Sequence, residues 1–187
     1  MPDLISSLTN LRNYYNSHAT KSYEFRKQQL MKLKNVILKY EKEIETALYS
    51  DLKKNGEETY ATETGLVLAE INVSLKNLRH WMEPESVATN LVNLPSSSKI
   101  YREPLGVILI ISPWNYPFQL MLIPLVGAIA GGNCVVLKPS EFSPATSLLI
   151  QKMITEIFPV EYVNVVMGDG AEVVPAMLQD FRFDYVF

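Results

Sequence analysis

The sequence predicts an α/β fold in which N-terminal helices lead into an incomplete, doubly wound parallel sheet. Three features carry that prediction. Apolar residues recur at steps of three to five through the first 85 residues. Beyond a polar connector, short apolar runs alternate with helical patterns in the order strand, helix, strand, helix, strand, helix, strand. Finally, Pro104 to Leu137 contains no charged residue, which fits two strands buried on both faces with a buried helix between them.

Taken in order, the first helix is expected from Asp3 to Asn16, with Leu4, Leu8, Leu11 and Tyr15 on one face. A second starts near Lys21 and continues to Lys54. Phe25, Leu30, Leu33, Ile37, Tyr40, Ile44 and Leu48 form its apolar face, lysines and glutamates form the solvated one, and Asn55-Gly56 ends it. A third spans about Glu57 to Met82, with Leu66, Ala69, Val73 and Leu78 as core candidates and Pro84 closing it. Ser86 to Ser98 lacks periodicity and reads as a connector, after which Lys99 to Glu103 alternates like a strand. Leu105 to Ile111 is a buried strand, Phe118 to Ala130 a helix ended by Gly131-Gly132, and Cys134 to Leu137 a second strand. Ser143 as N-cap and Pro144 at the first helical position open a helix to about Phe158. Tyr162 to Val166, a short helix from Ala171 to Gln179, and Phe183 to Phe187 complete the alternation.

Composition excludes several classes. Seventeen basic against twenty acidic residues give a formal charge of -3, which draws the chain neither to nucleic acid nor to an anionic membrane. The single cysteine, Cys134, cannot form an intrachain disulfide, and the start has no signal-peptide pattern, so a cytoplasmic location is expected. A hydropathy window would flag the charge-free segment as a membrane span. Pro113, Pro117 and Pro124 each remove a backbone donor that lipid cannot replace, so no span is expected.

The densest chemical signal is Pro113-Trp114-Asn115-Tyr116-Pro117, just past a buried strand, where ligands collect in doubly wound sheets. Two prolines stiffen the loop, and Asn115 offers an amide donor suited to an oxyanion, a contribution of roughly 2.7 to 4 kcal/mol per donor. An asparagine that bonds its own backbone in a turn fits the same spacing. The second signal is Lys138-Pro139-Ser140-Glu141 at the end of the next strand. A lysine can donate to sugar hydroxyls and a carboxylate can accept from a ribose 2′-hydroxyl, while a strand emerging into solvent would also become charged. Gly168-Asp169-Gly170 could admit a cofactor close to the backbone, but it lacks the third glycine of the dinucleotide fingerprint and equally reads as a turn. Cys134 sits inside a strand and is expected in the core rather than as a nucleophile. His18 and His80 have no metal-ligand spacing around them, so no metal site is expected.

The runs Glu103-Pro104-Leu105-Gly106-Val107, Pro113-Trp114-Asn115-Tyr116-Pro117, Gly127-Ala128-Ile129-Ala130, Gly132-Asn133 and Val135 to Glu141 together resemble the aldehyde dehydrogenase superfamily, most closely its class 3 and fatty-aldehyde branch. The resemblance extends to Asp51-Leu52-Lys53-Lys54-Asn55 and covers nearly the whole chain. It implies a truncated N-terminal NAD(P)-binding domain of Rossmann-like fold over 1–187, with 1–85 helical, 86–104 a connector and strand arm, and 105–187 the incomplete cofactor-binding part. By resemblance, Asn115 is the oxyanion-hole asparagine. Ser112, Pro113 and Trp114 line the cofactor cleft chiefly through backbone, and Lys138 and Glu141 bind the adenosine ribose of NAD or NADP. Ser140 and Gly168 join them in the cofactor site, and Lys99 to Glu103 belongs to an arm used in forming a homo-oligomer, a dimer. The substrate implied is a small-molecule aldehyde, oxidised through a cysteine thiohemiacetal and thioester.

That nucleophile and its general base match nothing in this chain, and an apolar strand at Phe183 to Phe187 needs a following element to cover it. A fragment that is inactive alone is therefore expected, with a non-catalytic binding or interaction module as the alternative.

Overall fold

The computed structural model describes residues 2–187. Its helical part begins with α1 (Pro2–Asn16), α2 (Tyr23–Lys39) and α3 (Glu41–Leu52). The helix expected over Lys21 to Lys54 is thus two. Tyr40 leaves the helical region at φ −99° and ψ 16°, and its hydroxyl donates to the Glu156 carboxylate at 2.6 Å. The bend lets α2 lie over the sheet helices while α3 packs along α7 (Pro144–Ile157). Periodicity could not reveal it, because Leu33, Ile37, Tyr40, Ile44 and Leu48 all stay buried through the break. Lys53 ends α3 in the left-handed region, and Asn55 accepts from the Glu58 N–H to start the next helix rather than to stop the last.

That next helix is α4 (Gly56–Thr59), a π turn over Tyr60–Thr64, and α5 (Gly65–Met82). The π turn changes which face is buried. Val67, Ile71, Ser74 and Leu78 point inward, whereas Leu66 and Val73, expected in the core, are 44% and 47% exposed, and Ala69 is exposed as well. Only Leu78 of the expected set lies in the core. One extra residue in a turn rotates everything before it by about 100°, so a single periodic fit across the segment fails. Gly65 permits the turn: a Cβ there would lie 2.6 Å from the Tyr60 carbonyl oxygen.

The connector also holds structure. β1 (Glu85–Val87) pairs antiparallel with β2 (Ser98–Ile100), and Arg102 reaches back to Glu85 at 2.8 Å. The strand expected at Lys99 to Glu103 is therefore shorter and earlier, with no strand pairing beyond Ile100. β3 (Val107–Ile111), α6 (Gln119–Gly131), β4 (Cys134–Lys138), α7, β5 (Val163–Val165), α8 (Gly170–Asp180) and β6 (Tyr185–Val186) follow as expected. The four strands are parallel in the order β5-β4-β3-β6. With this order, the right-handed rule for parallel crossovers assigns α6 and α7 to one face and α8 to the other. β4 is buried along its whole length, and α6 is apolar on nearly every side, which accounts for the charge-free stretch. Each such Leu or Ile contributes roughly 1.5–3 kcal/mol on burial. No helix among the described residues is long and apolar enough to cross a membrane. Tyr185, Val186 and Phe187 on the outer strand are exposed.

Ser143 occupies the N-cap position of α7 but does not cap it with its side chain. Its hydroxyl donates instead to the Ser140 carbonyl at 3.4 Å. The free N–H groups of Ala145 and Thr146 go to the two carboxylate oxygens of Asp51, at 3.1 and 2.8 Å. A distant carboxylate thus does what the local serine was expected to do.

Candidate functional site at the strand ends

The chain runs outward from β3 to β4 and β5, then returns across the sheet to β6 on the other flank of β3. Strand order reverses between β3 and β6, and the carboxyl end of β3, with that of β4 beside it, lies at the crevice where doubly wound folds bind ligands. Two loops meet at this point. The Ser112 N–H donates to the Lys138 carbonyl at 3.2 Å, joining the loop after β3 to the turn after β4.

In the first loop, Ser112 is buried and its hydroxyl has no hydrogen-bond partner among the described residues. Pro113 is exposed and Trp114 is 53% exposed, while Pro117 and Phe118 are buried and fix the loop's far end. Asn115 is exposed, and its side-chain amide bonds none of the described residues, so the turn-asparagine reading finds no support. The loop is held through its backbone. Lys54 Nζ donates to the Asn115 carbonyl at 3.1 Å and lies 3.9 Å from the centre of the Tyr116 ring. The same ammonium pairs with Glu63 Oε1 at 2.6 Å, and Glu63 Oε2 accepts the Gln119 N–H at 2.8 Å. The Lys54 and Glu63 side chains are 8% and 0% exposed. Sequence reading missed both. Lys54 sat among surface lysines, and Glu63 is buried within the π turn, which the sequence pattern does not display.

At the end of β4, Lys138 is 2% exposed and turns inward, which removes the reading of a strand reaching solvent. Its Nζ donates to the Pro139 carbonyl at 2.7 Å and to Glu141 Oε2 at 2.9 Å. Glu141 Oε1 accepts the Gly170 N–H at 2.9 Å, at the start of α8. That backbone donor, with Lys138 second, holds the Glu141 carboxyl down at about 2. Ser140 is buried; its carbonyl accepts from the Ser147 hydroxyl at 2.8 Å, so it braces the start of α7. Gly168 has φ +129°, a conformation glycine favours, and Asp169 caps α8 by accepting from the Ala171 N–H. Gly170, read as part of a turn, emerges as a partner of Glu141. A Cβ there would press on that carboxylate at 3.2 Å.

Cys134 lies buried inside β4, and burial pushes its thiol up to about 12. Among the described residues, no group of three or more His, Cys, Asp or Glu could hold a metal ion.

Sheet order, crossovers and strand-end chemistry together define a Rossmann-like α/β domain. The aldehyde dehydrogenase family model matches residues 8–187. The chain is 45% identical over 174 residues to the 4,4′-diaponeurosporen-aldehyde dehydrogenase of Staphylococcus aureus, covering 93% of this chain and 38% of that protein. It is 41% identical to rat aldehyde dehydrogenase family 3 member B1, covering 100% and 40%. Among solved structures, a substrate-bound state of Staphylococcus aureus AldH superposes with a TM-score of 0.94 at 43% identity, over 97% of this chain and 39% of that one. This chain belongs to the aldehyde dehydrogenase family. It spans about two fifths of the length of these relatives.

Proposed function

We propose that this chain is the cofactor-binding and oxyanion-stabilising portion of an NAD- or NADP-dependent enzyme that oxidises an aldehyde to a carboxylic acid. The observation that carries the reading is Asn115. Its amide stands open at a strand end on a loop whose backbone is clamped from the protein interior. An amide carried on a held backbone can reach one carbonyl oxygen and stabilise negative charge as it forms there. The attacking thiol would come from outside these residues, because Cys134 is the sole cysteine here and a buried thiol at about 12 is neutral at physiological pH. The resulting thiohemiacetal oxyanion is the charge that Asn115 would meet.

The strand ends suit a dinucleotide. Ser112 supplies a buried hydroxyl still lacking a partner, and Pro113 and Trp114 form an exposed wall beside it. Glu141 uses one bond on each oxygen, leaving acceptor capacity for ribose hydroxyls, since an ionised carboxylate has about four acceptor sites. Lys138 orients that carboxylate, Ser140 fixes the turn, and Gly168 takes the positive φ that leads into α8, where a Cβ would press on Val173. A bound nicotinamide supplies the hydride acceptor. A family member from Staphylococcus aureus, a betaine aldehyde dehydrogenase point mutant, was solved with NAD+ at 26% identity and a TM-score of 0.79. The exposed residues Leu91, Val92, Leu94, Ile100 and Tyr101 around β1 and β2 would serve subunit contact in a homodimer.

Two assays test the proposal. Residues 1–187 alone should form no NADH from aldehyde and NAD+, and Cys134 should resist iodoacetamide at neutral pH until the chain unfolds. In the full-length enzyme, Glu141→Ala should weaken cofactor binding in a calorimetric titration. Aldehyde-dependent NADH from the short chain, or unchanged cofactor affinity in Glu141→Ala, would contradict it.

A further inference from the structure

A buried ion pair is an expensive way to stabilise a fold. Removing two charges from water costs several kcal/mol per ion, and apolar residues of similar volume often do as well or better. The Lys54–Glu63 pair therefore needs another explanation, and its contacts supply one. Both of its members bond the segment that carries Asn115, across 61 and 56 residues of sequence. Lys54 binds the Asn115 carbonyl and the Tyr116 ring face, and Glu63 binds the N–H of Gln119, just past Pro117 and Phe118. The carboxylate fixes the ammonium, the ammonium fixes the Asn115 peptide, and the same carboxylate pins the first turn of α6. Glu63 reaches this position through the π turn that Gly65 allows. Such turns recur at functional sites.

We infer that the Lys54–Glu63 pair is a positioning device for the Asn115 amide, holding the loop after β3 in the geometry that oxyanion stabilisation requires. The inference rests on the role proposed above for Asn115. Neither member touches the reacting carbonyl; both act through the loop. The side-chain amide of Asn115 has no bond of its own to the described residues, so what the protein controls is the position of its backbone, and Lys54 is the side chain that bonds that backbone.

The decisive variant is the neutral pair Lys54→Met with Glu63→Gln, which keeps volume, leaves no buried charge and retains an acceptor for the Gln119 N–H. The first readout uses residues 1–187 in a Trp81→Phe background, where Trp114, next to Asn115, is the sole tryptophan. With far-UV circular dichroism unchanged, Trp114 should become more accessible to acrylamide and its fluorescence anisotropy should fall. Lys54→Arg should restore much of the parent behaviour. Should the pair variant fail to fold, Lys54→Met alone and Lys54→Arg carry the same measurement. A folded variant with an unmoved Trp114 overturns the inference.

The second readout is a double-mutant cycle in the full-length enzyme. The pair variant should lower kcat by about ten- to a hundredfold, the range that a misplacement of roughly 1 Å produces. Most of the loss should vanish in an Asn115→Ala background. Additive losses overturn the inference. If Asn115→Ala alone leaves kcat intact, the oxyanion assignment fails, and a Trp114 shift in the pair variant still identifies the pair as what positions the loop.

Discussion

The two strand ends that build the site are held in opposite ways. After β4, the turn is fixed by neighbours: Lys138 meets Glu141 three residues on, and Ser140 meets Ser147 at the start of the following helix. After β3, the loop is fixed from far away, by Lys54 and Glu63 on the helical layer. The difference teaches that a polar site can be assembled either from local chemistry, which spacing displays, or from a long-range contact, which it does not.

This contrast can be broken by substitution, and the largest effect is expected on the β3 side. Glu63→Leu leaves the Lys54 ammonium buried and unpaired, which should lower stability by about 3 to 5 kcal/mol in urea denaturation. A loss no larger than a surface substitution gives would mean that the pair is dispensable to the fold. Asp51→Ala strips the cap from α7 and should cost about 1 to 2 kcal/mol, whereas Ser143→Ala should cost less because Ser143 caps nothing through its side chain. The reverse ranking would restore the local reading of that helix start.

The smallest effect should come from Glu141, and it depends on pH. Its native carboxyl titrates at about 2, below an unfolded value of about 4.3. Its contribution is therefore present in full above the unfolded value and is lost as pH falls through about 2. Between pH 4 and 2 the Tm of the parent should fall more steeply than that of Glu141→Gln. Parallel curves would show that the Gly170 and Lys138 contacts do not persist in solution.

Legibility in the sequence follows the same division. The strands and helices beyond residue 105 could be read because β3 is apolar throughout, β4 is apolar up to Lys138, and glycine or proline marks most of the boundaries. Lys138 and Glu141 could be singled out because charge breaks an apolar run. What could not be read was set by tertiary contact. Tyr40 bends a helix whose apolar pattern runs on unbroken. A π turn rotates the face of α5, and three-residue β1 is too short for alternation to show. Lys54 and Glu63 look like any lysine and glutamate on a solvated helix until Gly65 and the left-handed Lys53 are placed.

The central claim, that Asn115 is the amide that meets the developing oxyanion, is tested most directly by kcat of Asn115→Ala in the full-length enzyme, with cofactor affinity measured alongside. The expected result is a fall in kcat of about 10²- to 10³-fold with the cofactor Kd unchanged, as removal of one oxyanion donor produces. An unchanged kcat would contradict it.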